Sequence, residues 1–96
     1  MSASTLVVLV YDVGNDRRRR KLHALLKQYG VPVQESAFEA RLTPSERGRL
    51  LERAAKLLVE NVDRFVMYTV PKAHEQNIAV IGTPRPPIEA KTFFIV

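Results

Sequence analysis

The 96-residue sequence contains no cysteine, which excludes a disulfide framework, a thiolate nucleophile and a cysteine-based zinc site. No stretch approaches the roughly 20 apolar residues that a membrane-spanning helix needs. The apolar run Leu6 to Val10 is too short for a signal-peptide core, and no basic segment precedes it. A cytoplasmic location with no membrane partner is therefore expected. Aromatic residues make up 7% of the chain, without the aromatic-rich strands that single-stranded RNA readers of the RNA-recognition-motif kind use. Internal repeats and low-complexity segments are also missing.

What is present is ordinary folding material: 46% apolar and 26% charged residues argue against disorder. The length suits one domain, small enough to gain from a partner subunit. Fifteen Lys and Arg against ten Asp and Glu give a net charge of +5, and the isoelectric point is about 10.0. Polyanions, nucleic acid first, are the expected partner class.

The apolar pattern gives the element order. Thr5 to Tyr11 is β-branched and continuously apolar, as a central strand is. Asn15 is placed to cap a helix carrying Leu22, Leu25, Leu26 and Tyr29 at helical spacing, with Gly30 where a left-handed terminal residue belongs. Val31 to Gln34 and Ser36 to Leu42 read as two strands. "TPSE", residues 43 to 46, is a capping box with Pro at the first helical position. It opens a second helix whose inward residues are expected to be Leu50, Ala54, Leu57, Leu58 and Val62. Residues 63–70 and 77–82 are predicted strands, the first ended by Pro71. The prolines of "TPRPP", residues 83 to 87, cannot continue a sheet, so this stretch reads as a linker to a last strand, "TFFIV", 92 to 96. The fold class is α+β: a ferredoxin-like β-α-β-β-α-β domain over 1–82, followed over 83–96 by the linker and an additional C-terminal strand. That strand would be an adhesive edge if bare, so it is expected to pair with another subunit across a dimer, the alternative being that it folds back on its own sheet.

Asp12 stands where the first strand gives way to the first helix, a position suited to a metal ligand or catalytic group, though a plain capping aspartate also occurs there. Arg17, Arg18, Arg19, Arg20 and Lys21 then crowd the first turns of the helix, where its dipole disfavours cations. A bound phosphate would make them worthwhile; otherwise they form a solvated basic face. At about 100° per residue, Arg17 and Arg20 point away from the core and are the freer phosphate contacts. Arg18 is a third candidate phosphate contact, but it falls beneath the apolar stripe, where it can instead pair with Asp12 or Asp16. One aspartate is a thin magnesium site, but a two-fold dimer would bring two copies of Asp12 together. Tyr11, Asp16, Ser36 and Phe38 are candidate site-lining residues, with Tyr11 and Phe38 also fitting the core. His23 and His74 suit surface or packing roles as well as acid–base chemistry. Arg47, Arg49, Arg53 and Lys56 make a second basic patch, mixed with Glu46, Glu52 and Glu60 as on a solvated helix face.

The stretches "VLVYDV" (8 to 13), "NDRRRRK" (15 to 21), "YG" (29 to 30) and "VQESAFEARL" (33 to 42), with the Ser/Glu-rich opening of the second helix, resemble the CRISPR-associated protein 2 family in order along the whole chain. The resemblance implies a ferredoxin-like homodimer in which Asp12 of each subunit, catalytic and metal-ligating, faces a shared interfacial Mg²⁺. It implies an endonuclease acting on RNA or double-stranded DNA. It also implies the central dimer of a spacer-acquisition complex with the adaptation integrase, a role that requires no hydrolysis. Arg17, Arg18 and Phe38 match positions near the family's site, and the last strand looks like its exchanged C-terminal strand. Val13 and Ala37 stand where isoleucine and valine are frequent, both conservative changes; the long arginine run and the linker "TPRPPIEAK" are less typical. The alternatives are a non-catalytic nucleic-acid scaffold and a toxin-type ribonuclease of the related virulence-associated group.

Overall fold

A computed structural model describes residues 3–90. Strand β1, Thr5–Asp12, leads through a short loop into helix α1, Asp16–Lys27; β2, Val31–Gln34, and β3, Ala37–Leu42, follow as a hairpin. Helix α2, Pro44–Leu57, then crosses back to β4, Arg64–Val70, and a 3₁₀ turn, Lys72–Asn77, is the last described element. The four strands lie in the order β2-β3-β1-β4 with every neighbouring pair antiparallel, which is the ferredoxin-like arrangement of two interleaved β-α-β units.

Alternation along β1 separates the two faces of this sheet. Val7, Leu9 and Tyr11 turn toward the helices and join Phe38, Ala40 and Leu42 of β3 and Leu22, Leu25, Leu26, Leu50 and Ala54 of the helices in one core. Val8, Val10 and Asp12 turn to the other face, opposite Glu39 and Ala37 on one side and Tyr68, Val66 and Arg64 on the other. Among the described residues no α-helix covers this second face.

Both helix starts form as expected. The Asn15 side chain accepts the Arg18 backbone N–H at 2.9 Å. In the capping box, Glu46 N–H donates to Thr43 Oγ1 at 3.2 Å and Thr43 N–H to Glu46 Oε1 at 2.8 Å. Four expectations are corrected. Gly30 is not left-handed, Gly82 being the only described glycine with positive φ. It is glycine because a Cβ there would strike the Glu39 carbonyl and come within 2.8 Å of the Ala40 Cβ. Val62 is not a core residue: α2 stops at Leu57, Asn61 turns the chain at φ 67°, and Val62 is 68% exposed. Ser36 belongs to the β2–β3 turn, because β3 begins at Ala37. Residues 77–82 form no strand; from the 3₁₀ turn to residue 90 the chain runs without ladder pairing, and Ile81 is 99% exposed.

The segment after β4 returns over the helix-free face. Arg41 donates to both carboxylate oxygens of Glu75, at 2.8 and 3.2 Å, and to the Ile88 carbonyl at 2.9 Å, while Arg85 pairs with Glu39. Glu39 and Arg41 stand opposite Val8 and Leu6, so this strap crosses the Leu6 end of the sheet, where Leu6 is fully buried. The Asp12 end stays uncovered by it. The predicted strand 92–96 lies outside the described residues.

Candidate nucleic-acid site at the end of the first strand

Asp12 is the last residue of β1, exposed, and its carboxylate has no hydrogen bond or ion pair among the described residues. The four arginines that follow divide by their partners. Arg19 is structural: it pairs with Asp16 and donates to the Val13 and Gly14 carbonyls at 3.1 and 3.3 Å, fastening the β1–α1 loop to the helix. Asp16 is thereby committed to Arg19.

Arg18 has a partner that sequence spacing did not suggest. Neither Asp12 nor Asp16 binds it; Asp63, in the turn before β4, does, through Nε at 2.7 Å and a second guanidinium nitrogen at 3.2 Å. The Asp63 carboxylate is closed off from solvent and also accepts the Val59 N–H at 2.9 Å. The Arg18 hydrogen bond, then the Val59 one, hold Asp63 below the usual carboxylate range, and Arg18 is raised in return. With its fork engaged, Arg18 is withdrawn from the phosphate contacts expected of it. Arg17 and Arg20 are exposed and free of partners among the described residues.

Tyr11 and Phe38 lie on the other side of the sheet from Asp12. Phe38 is fully buried and meets the His23 ring edge-on at 5.0 Å, so it offers no surface on which a base could stack. Tyr11 is also buried; its hydroxyl donates to the Glu35 carbonyl and lies 3.3 Å from His23 Nδ1. Burial raises its pKa; the nearby Arg19 charge opposes this, and a smaller effect of Glu35 adds to the rise. Ser36 is exposed in its turn, and its carbonyl accepts the Tyr11 N–H at 3.1 Å. His74 is exposed in the 3₁₀ turn, 3.4 Å from the Asn77 amide. In the second patch, Arg47 donates to the Leu42 carbonyl, and Arg53 donates to the Tyr29 hydroxyl and lies over its ring at 5.6 Å. Arg49 and Lys56 stay exposed.

Two site neighbours escaped sequence reasoning. Asp63 lies 45 residues from Arg18, and Arg64 becomes the neighbour of Asp12 only through the β1–β4 register. Among the described residues no group of three or more acidic or histidine side chains could hold a metal. An unpaired carboxylate suits a hard cation, but one chain supplies a single such ligand here.

The sequence model described as CRISPR associated protein Cas2 matches residues 5–78. The chain belongs to the Cas2 family. It is 34% identical over 79 residues to the CRISPR-associated endoribonuclease Cas2 3 of Synechocystis sp., covering 82% of this chain and 86% of that protein. The fold matches a hypothetical protein, TT1823, from Thermus thermophilus with a TM-score of 0.76 at 36% identity, covering 90% of this chain and 99% of the other. One chain of a partial Cas6-RT-Cas1–Cas2 complex matches with a TM-score of 0.65 at 31% identity, covering 80% and 90%. As a Cas2 family member the chain has the ferredoxin-like fold expected of it, and no described helix is long and apolar enough to cross a membrane.

Proposed function

We propose that the protein is a metal-dependent endonuclease that hydrolyses phosphodiester bonds of RNA or double-stranded DNA, and that it works as a homodimer in CRISPR spacer acquisition beside an adaptation integrase. The observation that carries this reading is the Asp12 carboxylate at the sheet end, unpartnered among the described residues, followed by a helix on which Arg17 and Arg20 are likewise free of described partners. Relatives named endoribonucleases and a structural neighbour assembled with Cas1 support it.

The helix-free face supports a second copy as its cover. Val10, two residues before Asp12, and Tyr68, opposite Val8, are 37% and 58% exposed there, and a two-fold axis through that face would bring two Asp12 side chains together. Asp12 from each copy would hold Mg²⁺, which when bound offsets phosphate charge and acidifies a coordinated water. Arg17 and Arg20 bind and orient the backbone through charge-assisted hydrogen bonds to phosphate oxygens. Hydrolysis adds water across a P–O bond, leaving phosphate on one fragment and a hydroxyl on the other.

The single carboxylate per chain also favours a second reading, in which the dimer holds duplex DNA for the integrase without cutting it. The test is cleavage of labelled duplex DNA and single-stranded RNA by the wild type and Asp12→Asn, with and without Mg²⁺, alongside binding at two salt concentrations. Metal-dependent cutting that falls at least 100-fold in Asp12→Asn, with binding kept, is the expected result; 100-fold corresponds to about 2.7 kcal/mol of barrier. Salt-sensitive binding without cutting, equal in both proteins, would leave the scaffold.

A further inference from the structure

β1 and β4 run antiparallel with Tyr11 against Phe65 and, one pair further, Asp12 against Arg64. Tyr11 and Phe65 turn into the core side, so alternation sends Asp12 and Arg64 together to the helix-free face. Directly opposed residues of such a pair have Cβ atoms about 5 Å apart. Both are exposed, yet no ion pair joins them, and Arg64 has no other partner among the described residues. Its backbone is well held, because the preceding residue, Asp63, is gripped by Arg18 of α1 and by the Val59 N–H.

From this placement, resting on the function proposed above, we infer that Arg64 is a phosphate-binding residue of the Asp12 site. A carboxylate repels an approaching phosphodiester. A guanidinium opposite it, unspent on that carboxylate, cancels the repulsion and offers two parallel N–H donors to non-bridging oxygens. The Arg18–Asp63 clamp then has a use beyond folding: it ties the strand bearing Arg64 to the helix bearing Arg17 and Arg20. The inferred ligand is the sugar–phosphate backbone, contacted without reading the bases.

Full-length wild type, Arg64→Ala, Arg64→Lys and the Asp12→Asn/Arg64→Ala double variant test this, using one labelled DNA duplex and one single-stranded RNA across a salt series, with cleavage in Mg²⁺ and thermal melts as a folding control. Loss of one phosphate contact reduces the slope of log affinity against log salt by about 1 and weakens binding about tenfold on whichever nucleic acid the wild type prefers. Arg64→Lys restores the slope but not the full cleavage rate, because the ammonium lacks the fork. Arg64→Ala with wild-type slope and rate, at an unchanged melting temperature, overturns the inference and leaves the proposed function standing. So does an effect of Arg64→Ala that vanishes in the Asp12→Asn background, since Arg64 would then merely neutralise Asp12. A wild type that neither binds nor cuts removes the function and the inference together.

Discussion

Asp63 shows how much one side chain that takes no part in the chemistry can govern. Its carboxylate joins the first turn of α1 to the turn before β4 and is held in its charged form chiefly by the Arg18 hydrogen bond and then by the Val59 N–H. A carboxyl group whose folded pKa is depressed binds fewer protons folded than unfolded through that window, so stability there rises with pH. The contribution is complete above the ordinary aspartate value of about 4 and is lost as pH falls through the lower folded value. Asp63→Asn is therefore expected to melt below the wild type at pH 7, with the gap narrowing below pH of about 4. Melting curves from pH 7 to 2 check this, and a gap constant across that range would contradict it. Residue type alone gave no sign of the pair. The helical wheel correctly set Arg18 apart from the outward Arg17 and Arg20, but it could not reach a partner in another loop. Asp12 was legible because a lone carboxylate ending an apolar strand is visible locally; Arg64 was not, because only strand register makes it a neighbour.

At the level of elements, the parts legible in the sequence were those fixed by short-range chemistry. Thr43, Pro44 and Glu46 announce the start of α2 within four residues, and the cap forms as read. The helix end was not legible, because Val62 continues the apolar spacing past the point where Asn61 at φ 67° has already turned the chain. The segment 77–82 looked like a strand for a similar reason: its composition suits a sheet, but pairing requires an edge, and after the 3₁₀ turn the chain crosses a face instead. Gly30 illustrates a right residue assigned for the wrong reason. Its missing Cβ lets the α1–β2 junction lie against the Glu39 carbonyl of β3. Gly30→Ala pushes the junction off the hairpin at a cost of about 1–3 kcal/mol, the usual range for overpacking. Urea denaturation measures it, and an unchanged midpoint would mean that the hairpin gives way freely.

For the molecule as a whole, the uneven dressing of the sheet matters most. One face is sealed by two helices. The other is crossed at one end by the strap from 72 to 88 and, among the described residues, left open around Val10 and Tyr68. If a second copy covers the open part, a charge placed there should separate the copies without unfolding either: Val10→Glu is expected to elute and sediment as a monomer with a near-native circular dichroism spectrum. A Val10→Glu protein that remained dimeric would put the interface elsewhere. The strap's attachment has a consequence of another kind. On β3, Glu39 and Arg41 present minus then plus, and the strap answers with Arg85 and Glu75. Sliding the strap so that Arg85 met Arg41, or Glu75 met Glu39, would set like charges together. The face therefore works as a keyed socket: polarity disfavours a strap with the reversed order of signs, and the matching depends on the strap's sequence alone.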